Sequence, residues 1–389
     1  MKNCKRNPVW GIIFATIWIV FGTTPSRGAE RYRTLCDTTL TSTWLSAPKN
    51  ITITVPKEWQ QDLNQNFPLI IVFDRQNPRS HQFILSAIDY LSSTEQMPSA
   101  VIVSVESSQE LRYRETVFPQ TDSVSLLAAN EAFLFKELIP LMEKKYKAGR
   151  FRMLIGHSRY GYFTTAMLCK HPKEINAVIA LSPFLAERGV QLTDSLVALQ
   201  QQAKTSVFYE YGIGNDYPQH YRQLTEALKN GHSTTFHAQG YYFPEADHNA
   251  TPGLIINNAL YHIFECWANM QHQYLTSERQ DNGLLKSVEK NIAVHYEQPI
   301  RCSIGTLNGL GWSYYNDHRM DLAAAAWKRL VESYPNFAEG WLYIADALKQ
   351  EGKDFTSELN NFDIALKSSG FYTAEEKAEL EKERQALLK

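Results

Sequence analysis

The sequence predicts an α/β fold: a mostly parallel central sheet with helices on both faces, followed by a small all-helical region. Three observations carry that reading. From about residue 30 to residue 270, short β-branched runs alternate with longer helical segments. Most of the runs are apolar at every position, as strands covered on both faces require. Beyond about residue 291 the strand signals stop and a helical repeat begins.

Taken in order, ITITV (51–55) alternates and predicts a strand with one face buried, and PLIIVF (68–73) a strand buried on both. A helix is expected from Ser80 to Ser93, then the strand AVIVSV (100–105). A long helix from Leu126 to Tyr146 leads to the strand RMLIG (152–156) and a helix from Tyr160 to Lys170. AVIALS (177–182) and SVFYEY (206–211) complete the predicted strands, with helices at Leu192–Ala203, His220–Leu228 and Gly253–Tyr274 between and after them. In the last region Leu307, Leu310, Gly311 and Tyr314 recur at an offset of 34 as Trp341, Ile344, Ala345 and Leu348. Ala323, Trp327 and Pro335 complete the first unit, and Phe362 and Ala365 arrive one place late in the second. This spacing resembles the tetratricopeptide repeat, whose paired antiparallel helices stack small and aromatic positions. Two units bury too little alone, so the rest is expected from the final helix, Ala374 to Leu388, or from docking on the preceding domain.

The chain has 389 residues, 44% of them hydrophobic and 12% aromatic, the composition of a well-packed protein rather than of a disordered one. A net charge of −2 excludes a global field for nucleic acid or an anionic membrane. Lys2, Lys5 and Arg6 precede an apolar run from Val9 to Gly22, which is short of the ~20 residues a spanning helix needs. That order predicts a secretory signal peptide, residues 1–29, and a secreted or periplasmic protein. A membrane association would come only from leaving this segment uncleaved. Removing it leaves Cys36, Cys169, Cys266 and Cys302, enough for one or two disulfides in an oxidising compartment or for buried thiols.

The stretch GHSRYGYF (156–163) carries the chemistry. Ser158 follows a predicted buried strand and precedes a predicted helix, the position of a nucleophile elbow, but Tyr160 stands where G-x-S-x-G has its second glycine. That glycine allows close approach of turn and strands rather than chemistry. Tyr160 is therefore expected to push the following helix slightly outward and fill the space, with Gly161 relieving the turn and Ser158 kept in reach of a histidine. Acyl transfer by serine needs an imidazole to take its proton, a carboxylate to orient that imidazole, and backbone N–H groups for the oxyanion. A chain order of serine, acid, histidine is available here.

Several segments in one order resemble the esterase D-like esterases of the α/β-hydrolase superfamily, which include enterochelin, feruloyl and acetyl-xylan esterases and mycolyltransferases. They are LSAPKNITITVPKEW (45–59), FPLIIVFD (67–74), RYRETVFP (112–119), similar to the family's arginine-rich loop leading to a proline, FKELIPLMEKKYKAGRFRMLIGHS (135–158), VIALSP (178–183) and ADHNATPGLIINNALYHIF (246–264). The resemblance covers roughly residues 40 to 270. It implies an α/β-hydrolase fold with Ser158 as nucleophile and His248 as general base. Asp216, in the loop after a late strand, is the first choice of acid, with Glu210 and Asp247 as the alternatives. One oxyanion donor is expected from the Arg159 backbone and the other from the loop near Asp74, Arg75 or Gln76, with Arg75 preferred. Arg112, Arg114, Tyr160 and the Arg159 side chain are expected to bind an anionic or polyhydroxylated substrate, with surface or interdomain ion pairs as the alternative for the arginines.

The domains expected are a hydrolase domain at 30–285, a linker at 286–302 and the helical repeats at 303–389. Neither a Walker motif, an H-E-x-x-H pair nor a zinc spacing of cysteines occurs, and no cofactor or metal is expected. The function expected is a serine esterase acting on a small-molecule or carbohydrate acyl ester, with a siderophore lactone and an acylated carbohydrate as the candidate substrates, through an acyl-enzyme. The alternatives are an acyltransferase of the same fold, or an impaired hydrolase scaffold holding a protein partner on its repeats.

Overall fold

In a computed structural model the described residues are 31–389, apart from 46, 61–64, 120–123, 230, 232, 278–280 and 371. The signal-peptide expectation, with Cys4, lies outside them. The sheet has eight strands: β1 (Tyr32–Leu40), β2 (Lys49–Pro56), β3 (Phe67–Val72), β4 (Val101–Val105), β5 (Ala148–His157), β6 (Ala177–Leu181), β9 (Val207–Ile213) and β10 (Phe236–Tyr242). Their spatial order is β1-β2-β4-β3-β5-β6-β9-β10. Pairings β1/β2 and β2/β4 are antiparallel and the other five are parallel. Two short strands, β7 (Ala186–Glu187) and β8 (Val190–Gln191), form a separate hairpin.

Period two along the inner strands divides the core. Ile70, Val72, Met153, Ile155 and Ile179 face helices α1 (Pro78–Ser93) and α8 (Thr251–Thr276). Leu69, Ile71, Leu154, Val178 and Ala180 face the other layer. That layer holds α2 (Gln109–Thr116), α3 (Leu127–Ala132), α4 (Ile139–Tyr146), α5 (Arg159–Lys170), α6 (Leu192–Gln202) and α7 (Pro218–Lys229). Between α3 and α4 the chain continues as a π-helical turn, Phe133–Leu138, so the long predicted helix is one run with a bulge. The fold is thus the α/β-hydrolase arrangement with an all-helical C-terminal region.

The segment expected as a linker, 286–302, lies mostly within α9 (Asn282–Tyr296). The rest is held tightly: Gln298 accepts from Phe151 N–H at 2.7 Å and donates to the Asn66 carbonyl at 3.1 Å, while Ile300 and Cys302 are buried. Beyond it α10 (Ile304–Asn316) and α11 (Met320–Ser333), then α12 (Ala338–Gln350) and α13 (Thr356–Ser368), form two helical pairs, followed by α14 (Ala374–Leu387). Gly311 lets α10 close on α11, since a Cβ there would sit 2.1 Å from the Trp327 indole nitrogen. One apolar core runs from the sheet through α8 and α9 to Leu310, Trp327 and Ile344. Burial missing from two repeats comes from that shared core and from Leu380 of α14.

All four cysteines among the described residues are free thiols, so of the two readings left open by the sequence, disulfides or thiols, the second holds. Among the described residues no helix is long and apolar enough to cross a membrane, and no group of three or more metal-ligating side chains is placed to hold an ion.

Candidate active site

The carboxyl ends of the parallel strands carry the site, as they do for ligands in open α/β sheets generally. Ser158 joins β5 to α5 at φ 57°, ψ −114°, a left-handed, strained conformation that projects a side chain off the turn. Its N–H donates to the Leu181 carbonyl at 2.8 Å, which seats the turn on the end of β6. Gly156 has no alternative, because a Cβ there would lie 2.3 Å from the Tyr160 carbonyl oxygen. Gly161, one place after the expected position, faces Leu181 O and Pro183 at 3.3 Å from where its Cβ would be.

Tyr160 fits because its side chain leaves the elbow entirely. The ring is fully buried and stacks on Phe73 with centroids 4.5 Å apart. Its hydroxyl donates to Glu115 Oε2 at 2.8 Å and lies 2.6 Å from the Ser107 hydroxyl. Lys49 Nζ donates to the same carboxylate at 2.7 Å and to Ser107 at 2.8 Å, completing a buried network. Burial lowers the Lys49 pKa and raises that of Tyr160. Tyr160 therefore braces the elbow from behind and is not in contact with the cleft, which corrects its substrate-binding role.

A cleft of about 420 Å³ opens beside Ser158, lined by Gln76, Asn77, Gln109, Arg112, His157, His248 and Asn249 among others. His248, in the loop before α8, donates through Nδ1 to Asp216 Oδ2 at 2.5 Å. Asp216 also accepts from Gly214 N–H at 3.2 Å and lies against the Ser182 hydroxyl. Burial alone would raise the Asp216 pKa, but the His248 bond, with smaller help from Ser182, holds it below the usual carboxylate value.

The two alternative acids are engaged elsewhere. Glu210, buried in mid-strand, accepts from His262 Nδ1 and from the Tyr241 hydroxyl, both at 2.8 Å. Asp247 accepts from the N–H groups of Asn249 and Ala250 at 2.9 Å, holding the turn into α8.

Among the described residues the Ser158 hydroxyl makes no hydrogen bond, either to the N-terminus of α5 or to His248. The first absence removes the ordinary role of a serine before a helix, that of a cap. The second departs from the expectation that the turn brings Ser158 within hydrogen-bonding reach of His248; such contacts often form only with substrate bound.

Arg159 begins α5, where a backbone N–H has no intrahelical partner. Its side chain turns away, pairing with Glu187 of the β7–β8 hairpin at 2.9 Å over the Tyr113 and Phe184 rings. Arg75 is a correction: its backbone N–H donates to the Val105 carbonyl at 3.1 Å and so is not free for an oxyanion, and its side chain pairs with Asp37. Gln76, next in the loop, lines the cleft instead. Arg112 reaches the cleft but clamps Asp74 with two bonds of 2.6 and 2.7 Å and donates to the His157 carbonyl at 2.8 Å. Arg114 holds the Val124 carbonyl at 3.0 Å and does not line the cleft. The arginine-rich segment is helix α2, capped by Ser108, rather than a loop.

Sequence reasoning passed over His157, Ser182, Thr251 and the cleft residues Asn77, Gln109 and Asn249. Adjacency to Ser158 was the one available signal, and it applied to His157 alone.

A parallel sheet, a strained serine between strand and helix, and a carboxylate–histidine pair at the same end define an α/β-hydrolase. The chain belongs to the family described as "Putative esterase", whose profile matches residues 42–308, and it is by class a carboxylic ester hydrolase. No curated protein matches the sequence. Solved structures share the fold at low identity. An uncharacterised protein from Capnocytophaga ochracea is 18% identical, with a TM-score of 0.56 over 90% of this chain and 99% of its own. An IroE-like serine hydrolase from Shewanella oneidensis is 15% identical, with a TM-score of 0.60 over 78% of this chain and 99% of its own. The BES protein from Bacillus cereus is 18% identical, with a TM-score of 0.52 over 60% and 96%.

Proposed function

We propose that the chain hydrolyses an acyl ester through Ser158, His248 and Asp216. Ser158 Oγ attacks the ester carbonyl as His248 Nε2 takes its proton. His248 then returns that proton to the leaving alcohol, giving the acyl-enzyme. Water, deprotonated by the same ring, attacks the acyl group and releases the acid and free Ser158. Asp216 holds the imidazole through Nδ1 and stabilises it when charged. The Arg159 N–H and the Gln76 N–H are the oxyanion donors, Gln76 in place of Arg75.

The observation that carries this reading is the Asp216–His248 bond opening on the same cleft as an uncapped Ser158. The cleft also favours one substrate class. Among the described residues its one arginine or lysine, Arg112, is clamped on Asp74, while Asn77, Gln109 and Asn249 offer neutral amides; the Gln76 amide is held by Asp74 and the Ser107 N–H. That lining suits the hydroxyls of an acylated carbohydrate better than an anionic ester. Secretion through residues 1–29 is part of the proposal and predicts a mature N-terminus at Glu30.

A panel of p-nitrophenyl acyl esters, feruloyl esters and acetylated xylan tests the reading. Turnover abolished in Ser158→Ala, with acetylated or feruloylated sugar preferred, is the expected result. Turnover retained in that variant rules the mechanism out.

A further inference from the structure

The imidazole of His157 has no part in the steps above, yet it touches the backbone of the general base. Its Nε2 lies 2.9 Å from the His248 carbonyl oxygen. A carbonyl only accepts, so Nε2 carries a proton and donates it. The two rings lie 4.6 Å apart between centroids. On the same carbonyl the Thr251 hydroxyl donates at 3.1 Å, itself 2.7 Å from the Ser182 hydroxyl that lies against Asp216. From the other side, Arg112 donates to the His157 carbonyl while clamping Asp74. His157 therefore joins the loop after β3, the nucleophile turn and the histidine loop.

We propose that His157 is a positioning residue for ester hydrolysis: its Nε2–H holds the His248 backbone so that the ring meets Ser158 and Asp216 together. The inference rests on the reading of Ser158, His248 and Asp216 given above. His248 sits in a loop, and the anchors on its carbonyl are two side chains rather than a strand. The groups facing His157 are His248, Asp74 and Arg112. Burial lowers its pKa most, with the His248 and Arg112 charges adding, against the bond to His248 and the charge of Asp74. A neutral ring can hold the loop without placing a second positive charge beside His248 when that ring takes the serine proton.

Two amide variants separate anchoring from mere packing, since a glutamine amide nitrogen reaches the place of Nε2 and an asparagine one reaches only that of Nδ1. His157→Asn is expected to lower kcat about tenfold or more with KM within about twofold, as a small misplacement of a catalytic group does. His157→Gln is expected to recover kcat to within about threefold of wild type. Wild-type kcat in His157→Asn, or equal losses in both variants, overturns the proposal. Imidazole ¹⁵N spectra of the wild-type protein test it without mutation: the Nε2–H tautomer of His157 is expected, and the Nδ1–H tautomer overturns it. Fluorophosphonate labelling of the same wild-type sample separates the two readings. No adduct on Ser158 refutes the catalytic assignment itself, whereas an adduct alongside the wrong tautomer refutes only the role of His157.

Discussion

Asp216–His248 and Glu210–His262 are the same chemical pair, a carboxylate on an imidazole Nδ1, drawn from the same two parts of the chain. Both acids come from β9 or the loop after it, and both histidines from α8 or the loop before it. Asp216 and His248 stand at the carboxyl end of the sheet, where Asp74, Ser158 and Ser182 all have positive φ and the cleft opens. Glu210 lies within the strand, fully buried, with Tyr241 as its second donor. Its pKa is raised by burial where that of Asp216 is lowered. An acid–imidazole pair is a catalytic device only where a nucleophile and oxyanion donors converge on it; in the body of the fold it holds strands and helix together.

The comparison breaks if the two pairs respond alike. Ser158→Ala is expected to lower kcat about a million-fold, and Asp216→Asn about ten-thousandfold, both read by ester hydrolysis. Glu210→Gln should leave kcat within about threefold while lowering stability by roughly 1–3 kcal/mol in denaturant titration, because its cost is that of a buried hydrogen-bonding defect.

The Lys49–Glu115–Tyr160 network sharpens the same contrast behind the elbow. Lys49→Met leaves Glu115 buried without its cation and should cost about 3–5 kcal/mol in equilibrium unfolding. Tyr160→Phe removes one hydroxyl from the network and should cost about 1–2 kcal/mol, with Ser158 still reactive. A Tyr160→Phe variant that is stable but slow would return this residue to the cleft.

The smallest effect is in pH. The His262 pKa is raised, first by its bond to Glu210, so its contribution is complete below the unfolded value of about 6.5 and is lost as pH rises through the folded one. Burial raises Glu210, which trims the ion pair on the acid side. The melting temperature of wild type over His262→Gln should therefore differ most below about pH 6.5, as long as Glu210 stays ionised, and converge at alkaline pH. A difference growing with alkalinity would contradict the assignment.

Legibility in the sequence followed burial. PLIIVF, AVIVSV and AVIALS read as strands because sheet neighbours and both helix layers cover them. β1 and β10 did not, since YRTLCDTTL and FHAQGYY lie at the two edges, where polar side chains meet solvent. RYRET read as a loop because its charges hide a short capped helix. Ser158, Asp216 and His248 were legible as an order along the chain, because strand ends and their loops return to one end of a parallel sheet. Arg75 and Arg112 were not, since which carbonyl or carboxylate a donor meets depends on segments distant in sequence. Tyr160 looked like a defect of the elbow for the same reason: its partners, Phe73, Ser107 and Glu115, lie on other elements.

The most direct test of the central claim is mass spectrometry of the folded protein after reaction with a fluorophosphonate. One adduct per chain, mapped to the peptide containing Ser158 and absent from Ser158→Ala, is the result expected of an elbow that presents a working nucleophile. No adduct on folded wild type, or an equal yield in Ser158→Ala, would contradict it.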